Sequence, residues 1–246
     1  MKKIFIAGCS YTNWNDGDCL GESYPALIAK EYPDWHVFDA SECGGSNDSV
    51  YLKLRYLEKL YGAPDKVIVQ WTHLGRTNIN IFDHPTPREN TASTLNNYTY
   101  FAENGNDTDK DGSMVVNPSL LSLRSKWNRR QYNQLRKITG LGREIPTMFY
   151  SWFLNSRTLR WNTQKEIDLV NAVYGKDNVL MYDWQGHNSP GTNLTMPDNW
   201  IGSLAYAFRK KNKFMSLGID DAPHYAAEGH LEVYKWLQPH LNKLLT

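Results

Sequence analysis

The sequence predicts an α/β fold: a three-layer α/β/α sandwich in which helices cover both faces of a central parallel sheet. Three observations point there. Residues 2–72 alternate strand, helix, strand, helix, strand, an order that builds right-handed crossovers and a parallel sheet. Residues 64–72, PDKVIVQWT, contain the kind of unbroken apolar run that a strand needs when both of its faces are covered. The chain has 246 residues, 41% of them hydrophobic and 22% charged, enough for one sizeable core, so residues 1–246 are read as a single domain.

Each element has a local reason. KKIFIAG, residues 2–8, is a β-branched and aromatic run stopped by Gly8, hence a buried first strand. A polar loop follows, and Ser23 with Pro25 marks the cap and first turn of a helix through ALIAKEY. HVFDAS is the second strand. After Gly44-Gly45, Val50, Leu54, Leu57 and Leu60 fall at helical spacing, with Asn47 or Asp48 near the start and Gly62 just past the end. PDKVIVQWT is the third strand. IPTMFYSWF and NVLMYDW read as fourth and fifth strands, with a helix over residues 163–175 between them. A last helix over residues 228–244 carries Leu231, Tyr234, Leu237, Leu241 and Leu244 on one face. The short LAYAF run near residue 206 reads as core helix. Residues 77 to about 120, rich in Asn, Thr, Asp and Gly, show little periodicity and are expected to form a loop-rich insertion, a long loop or small excursion that is either a substrate-side lid or a plain surface loop. Residues 185–200 are a second such region.

Composition excludes several functions. With 27 Lys and Arg against 26 Asp and Glu, the formal net charge is +1, and the basic residues form no long run, so neither nucleic acid nor an anionic membrane is expected as a partner. Three cysteines, Cys9, Cys19 and Cys43, have no CxxC spacing; a disulfide framework and a zinc site are both unexpected. Scattered histidines without HExxH spacing give no metal site, and GxGxxG and GxxxxGK[ST] are absent. NDTDKDG, residues 106–112, alternates acidic residues but lacks the glycine and bidentate Glu of a calcium loop at the required positions. The start MKKIFIAGC resembles a lipoprotein leader only locally, because its apolar run of five residues is shorter than the roughly 7–15 of a secretory core. No stretch approaches the ~18 apolar residues of a membrane span. A soluble, cytoplasmic protein is expected.

Ser10 follows the first strand at the carboxyl edge of the expected sheet, where open α/β folds place their reactive groups. A hydroxyl there is either a nucleophile or the cap of a turn, and as a nucleophile it needs a base. Residues 218–230, GIDDAPHYAAEGH, offer one. Asp221 and His224 stand three apart, with Pro223 between them keeping Ala222 out of helical geometry. On such a bent loop the Asp221 carboxylate can accept the Nδ1 proton of His224, leaving Nε2 to take a proton from serine. Taken singly, His224 would pass for a packing or surface histidine and Asp221 for a helix cap. Their conjunction with Ser10 is what matters.

In these residues the chain resembles the SGNH hydrolases, the superfamily of GDSL-type esterases and lipases. Gly8-Cys9-Ser10 matches the nucleophile block after the first strand, Asp221-Ala-Pro-His224 the Asp-x-x-His block before the last helix, and Gly229-His230 the usual start of that helix. Gly44 or Gly45 in GGSND matches the glycine whose N–H joins the oxyanion hole, Gly44 being the better placed. The resemblance implies a flavodoxin-like sheet and a serine esterase working through an acyl-serine, with no cofactor and no metal. It implies Ser10 as nucleophile, His224 as base and Asp221 as its orienting partner. The block departs from the family in having Cys9 where Asp is common, and a buried structural thiol is the expected role of that residue. The family's Gly-x-Asn-Asp block after the third strand is missing: QWTHLGR stands there. Losing one oxyanion donor costs on the order of 3–4 kcal/mol in other serine hydrolases. Asn47, Thr72 and His73 are the candidates to replace it, Asn47 being equally suited to cap the next helix. Arg76 could hold an anionic substrate group or pair with a carboxylate.

With 9 Trp, 15 Tyr and 8 Phe, the loops could stack on sugar rings, which favours an O-acetyl group on a small molecule or carbohydrate as the ester. A lipase or thioesterase is the second acyl-hydrolase reading. A catalytically silent scaffold that binds glycan or a protein partner, such as an accessory protein of a bacteriophage or bacterium, is the alternative from a different class. The sequence carries no signal for oligomeric state.

Overall fold

The computed structural model of the chain describes residues 1–9, 11–12, 22–41, 46–72, 74, 77–80, 91–102, 113–116, 156–184, 194–208, 215–217, 223–225 and 227–246. In chain order the elements are β1 (Lys2–Ala7), α1 (Tyr24–Glu31), β2 (Trp35–Asp39), α2 (Val50–Tyr61), β3 (Lys66–Trp71), β4 (Thr77–Asn80), β5 (Thr91–Leu95), β6 (Tyr98–Ala102), β7 (Ser113–Val116), α3 (Ser156–Tyr174), β8 (Val179–Asp183), β9 (Trp200–Ser203), α4 (Leu204–Ala207), β10 (Met215–Leu217), β11 (Pro223–Tyr225) and α5 (Ala227–Leu245). Short 3₁₀ turns precede α2 and β8.

Seven strands form one sheet in the order β5-β6-β2-β1-β3-β8-β9. All neighbours in it run parallel except β5, which is antiparallel to β6 at the edge. Alternation along β1 sends Ile4 and Ile6 to one face and Phe5 and Ala7 to the other, all four fully buried. On the first face they meet Ile28 of α1 with Leu237 and Leu241 of α5; on the second they meet Leu54 and Leu57 of α2 with Ile167 and Val170 of α3. This is the expected sandwich, and burying each of the Ile, Leu, Val and Phe side chains is worth roughly 1.5–3 kcal/mol. The helix ends follow their signals: Ser23 accepts from the Ala26 N–H with Pro25 in the first turn of α1, and Gly62 ends α2 at φ 75°. Leu60 and Leu231, expected on apolar helix faces, are largely exposed.

Four expectations need correction. Residues 77–120 are not simply a loop: β4 and β7 pair with each other, while β5 and β6 form a hairpin that extends the main sheet beside β2. The hairpin turns at Asn96, held at φ 54°, a conformation asparagine tolerates better than most residues. Asn97 donates to the Ala29 and Trp35 carbonyls, both at 2.7 Å, fastening the turn to α1 and β2. Within residues 185–200, expected as loop, Trp200 begins β9, parallel to β8. The helix expected over residues 163–175 starts seven residues earlier, with Leu159 buried. Of LAYAF only Leu204 is core; Tyr206 is exposed. IPTMFYSWF and the acidic run at residues 106–112 lie outside the described residues.

Candidate functional site

The carboxyl ends of the parallel strands gather the segments that flank the sequence-predicted site. At the exit of β1, Thr12 N–H donates to the Cys9 carbonyl at 2.8 Å, folding the chain back between those residues. The turn is pinned from β3. Gln70 Oε1 accepts from Thr12 Oγ1 at 2.7 Å and from the Cys9 N–H and Sγ at 3.4 Å, while its Nε2 donates to the Trp71 carbonyl. Cys9 is fully buried, as expected for a structural thiol. Gly8 is required by the same packing: a Cβ there would collide with Thr12 Oγ1 and stand 3.1 Å from Gln70 Cβ and Oε1.

At the exit of β2 the buried Asp39 carboxylate accepts from the Ser41 N–H at 2.8 Å, the Ser41 hydroxyl at 2.5 Å and the Tyr98 hydroxyl at 3.0 Å. Burial pushes its carboxyl up from the ordinary range, against these hydrogen bonds and the charge of Lys53. Asp39 thereby locks the start of the segment that carries Gly44 and Gly45.

Asn47 opens the 3₁₀ turn that precedes α2, and its side chain reaches across to the third-strand segment. Its Oδ1 accepts from the Thr72 N–H at 2.8 Å, and Nδ2 donates to the Thr72 carbonyl at 3.0 Å and to Thr163 Oγ1 at 3.5 Å. The amide thus reads the Thr72 peptide on both sides and holds the segment after β2 against the segment after β3. Thr72 is buried, and its hydroxyl accepts a long hydrogen bond from Trp184 Nε1, 3.4 Å, at the exit of β8.

Trp184 also stacks on Tyr11, ring centres 3.7 Å apart and 18° from parallel, and Tyr11 meets Tyr225 edge-on at 5.3 Å. Tyr225 closes β11, where His224 pairs opposite Ser216 of β10. The backbone of His224 is therefore in a strand rather than on the bent loop expected. Burial pushes the Tyr225 hydroxyl far up, with Tyr11 and Asp183 adding to the effect. Directly after β11, His230 of α5 accepts the Tyr24 N–H on Nδ1 at 3.3 Å, tying the last helix to the start of α1.

Ser10, Gly44, Gly45, His73, Arg76 and Asp221 lie outside the described residues, as does the side chain of His224. What the structure brings together are their sequence neighbours: Tyr11 after Ser10, Tyr225 after His224, and Asn47 and Thr72 beside the second and third segments. Gln70, Trp184 and the Tyr11–Tyr225 pair were missed by sequence reasoning. Gln70 had a usable signal, a lone amide inside an apolar strand, which must find partners when buried.

The strand order β2-β1-β3-β8-β9 is the 2-1-3-4-5 order of flavodoxin-like α/β proteins, in which ligands sit at the carboxyl edge where the winding reverses, here between β1 and β3. The class defined by the fold is thus a doubly wound α/β protein with a hairpin added at one edge. Over its full length the chain is similar to the psychrotrophic esterase EstA from Pseudoalteromonas sp., in a structure inhibited by monoethylphosphonate. That match has 9% identity, a TM-score of 0.50, and covers 100% of this chain and 99% of that one. Weaker matches are to a two-domain esterase (CEX) active on acetylated mannans: 12% identity and TM-score 0.41 for its form co-crystallised with mannopentaose, and 15% and 0.37 for another structure of it. The chain spans 49% of that protein in both cases. No protein-family model and no curated protein matches the chain. At these identities the likeness is one of fold. Among the described residues no helix is long and apolar enough to cross a membrane.

Proposed function

We propose that the chain is an SGNH-type serine esterase that hydrolyses a carboxylic ester, an O-acetyl group on a carbohydrate being the favoured substrate. The observation that carries this reading is the 5.3 Å ring contact between Tyr11 and Tyr225, because it joins the residue after Ser10 to the residue after His224 across more than two hundred positions of sequence. A fold shared over the full chain length with an esterase is compatible with it.

In this reading Ser10 Oγ attacks the ester carbonyl carbon while His224 Nε2 takes the hydroxyl proton, and Asp221 holds Nδ1–H. The tetrahedral oxyanion is met by the N–H groups of Ser10 and Gly44, with Gly45 as the neighbouring donor. Asn47, bonded to Thr72, sets the distance between the oxyanion segment and the segment bearing His73 and Arg76, which face the substrate. The imidazolium returns its proton to the leaving alcohol as the C–O bond breaks. Water, deprotonated by the same imidazole, then cleaves the acyl-serine.

Hydrolysis of p-nitrophenyl acetate and labelling by a fluorophosphonate test this together. Wild type should turn over and be tagged, whereas Ser10→Ala should lose a factor on the order of a thousand or more in turnover, keep its melting temperature and take no tag. An untagged wild type that matches Ser10→Ala would instead establish a silent binding scaffold. Faster release of acetate from acetylated oligosaccharides than cleavage of long-chain p-nitrophenyl esters would separate the carbohydrate reading from the lipase one.

A further inference from the structure

We propose that Trp184 is a positioning residue of this site, a side chain that helps set the Ser10 segment, the third-strand segment and the His224 segment at a fixed separation. The inference rests on the esterase reading above. Three contacts converge on this ring or on its partner: the Tyr11 stack at 3.7 Å, the Nε1 donation to Thr72 Oγ1 at 3.4 Å, and, one ring further, the Tyr11–Tyr225 edge contact at 5.3 Å. Thr72 is itself clamped through its peptide by Asn47, and Tyr11 lies in the turn that Gln70 fixes through Thr12 and Cys9. The indole therefore ties the exits of β1, β3 and β8 together, and through Tyr11 it reaches the strand that bears His224.

Stacked and edge-on aromatic pairs have preferred geometries, so the links transmit position and not merely bulk. Gln70 and Thr72 serve as fastening points for the neighbouring segments, and Trp184 adds a further tie through Tyr11 and Thr72. Proton transfer from serine to histidine is steep in distance, and a displacement near 1 Å at a reacting group can cost on the order of a hundredfold in rate. Trp184 does not touch substrate in this account; it acts through Tyr11 and Tyr225.

The test uses the full chain with Trp184→Leu, which removes the stack and the Nε1 donor, and Trp184→Phe, which keeps a smaller aromatic face and removes the donor. Fluorophosphonate labelling rates, kcat and KM for p-nitrophenyl acetate, the pH profile of kcat and the melting temperature are read for each. Trp184→Leu is expected to fall about 10- to 100-fold in kcat and in labelling rate with KM within about twofold, and to shift the acidic limb of the pH profile; Trp184→Phe should recover at least half of that loss on a logarithmic scale. A folded Trp184→Leu that labels and turns over like wild type overturns the positioning role and leaves the esterase reading intact. If Trp184→Leu does not fold, Trp184→Phe decides: a rate two- to tenfold below wild type supports the role and an unchanged rate overturns it. A wild type that is never labelled removes the esterase reading and this inference with it.

Discussion

At the residue scale the region after β1 is governed by close approach. Gly8 is the last residue before the Cys9–Thr12 turn, and its missing side chain is what lets Thr12 reach Gln70 at 2.7 Å. Gly8→Ala should therefore destabilise the fold by about 1–3 kcal/mol through overpacking, and should lower the melting temperature by several degrees. Thermal and urea unfolding of the purified variant measure this, and an unchanged midpoint would show that the contact yields without cost. The sequence marked Gly8 as the end of a strand but not the reason for it, because the Thr12 hydroxyl that excludes a Cβ is held in place by Gln70, on another strand about sixty residues away. For the same reason Asn47 was legible as an amide near a loop of interest, while its bidentate hold on Thr72 was not.

At the scale of elements, α2 and α3 meet through a carboxylate. Glu166 of α3 accepts the Tyr51 N–H at 3.0 Å, serving as a cap in trans for the first turn of α2. Burial pushes its carboxyl up to about 7, reinforced by the charge of Asp48 and opposed by the Tyr51 bond and Lys165. The unfolded chain releases that proton near the ordinary 4.5, so between about 4.5 and 7 the native state binds more protons, and stability falls as pH rises through this window. Glu166→Gln keeps an acceptor for Tyr51 and removes the titration; it should gain on the order of 1 kcal/mol over wild type at pH 8 and little or nothing at pH 4. Urea midpoints at the two values check it, and parallel pH dependences for the two proteins would contradict it. Elements set by their own periodicity were readable in the sequence: β1, α1, α2, β3, β8 and α5 fall where expected. The β5–β6 hairpin was not read, although TASTL and YTYFA around Asn96-Asn97 have the strand composition and turn residues of one. Their polar surroundings obscured an alternation that only pairing with β2 makes useful.

At the scale of the whole molecule, the parallel order β2-β1-β3-β8-β9 places the exits of five strands at one edge, and Tyr225 of β11 meets Tyr11 beyond the exit of β1. The proposed triad rests on blocks that are short, local and in a recognisable order. The contacts around them were not legible, since Tyr11, Gln70 with Thr72, Trp184 and Tyr225 come from four separate stretches of chain and become neighbours only when the sheet is wound. Long-range assembly of this kind makes the two chain ends depend on each other: the His230–Tyr24 bond and the Tyr11–Tyr225 contact are both made across it.

The most direct measurement of the central claim is a crystal structure of the full chain after reaction with an alkyl fluorophosphonate. It should show phosphorus bonded to Ser10 Oγ, with a His224 ring nitrogen within about 3 Å of that oxygen and the Asp221 carboxylate on the far side of the imidazole. An unmodified Ser10, or an imidazole turned away from it across the sheet edge, would contradict the account.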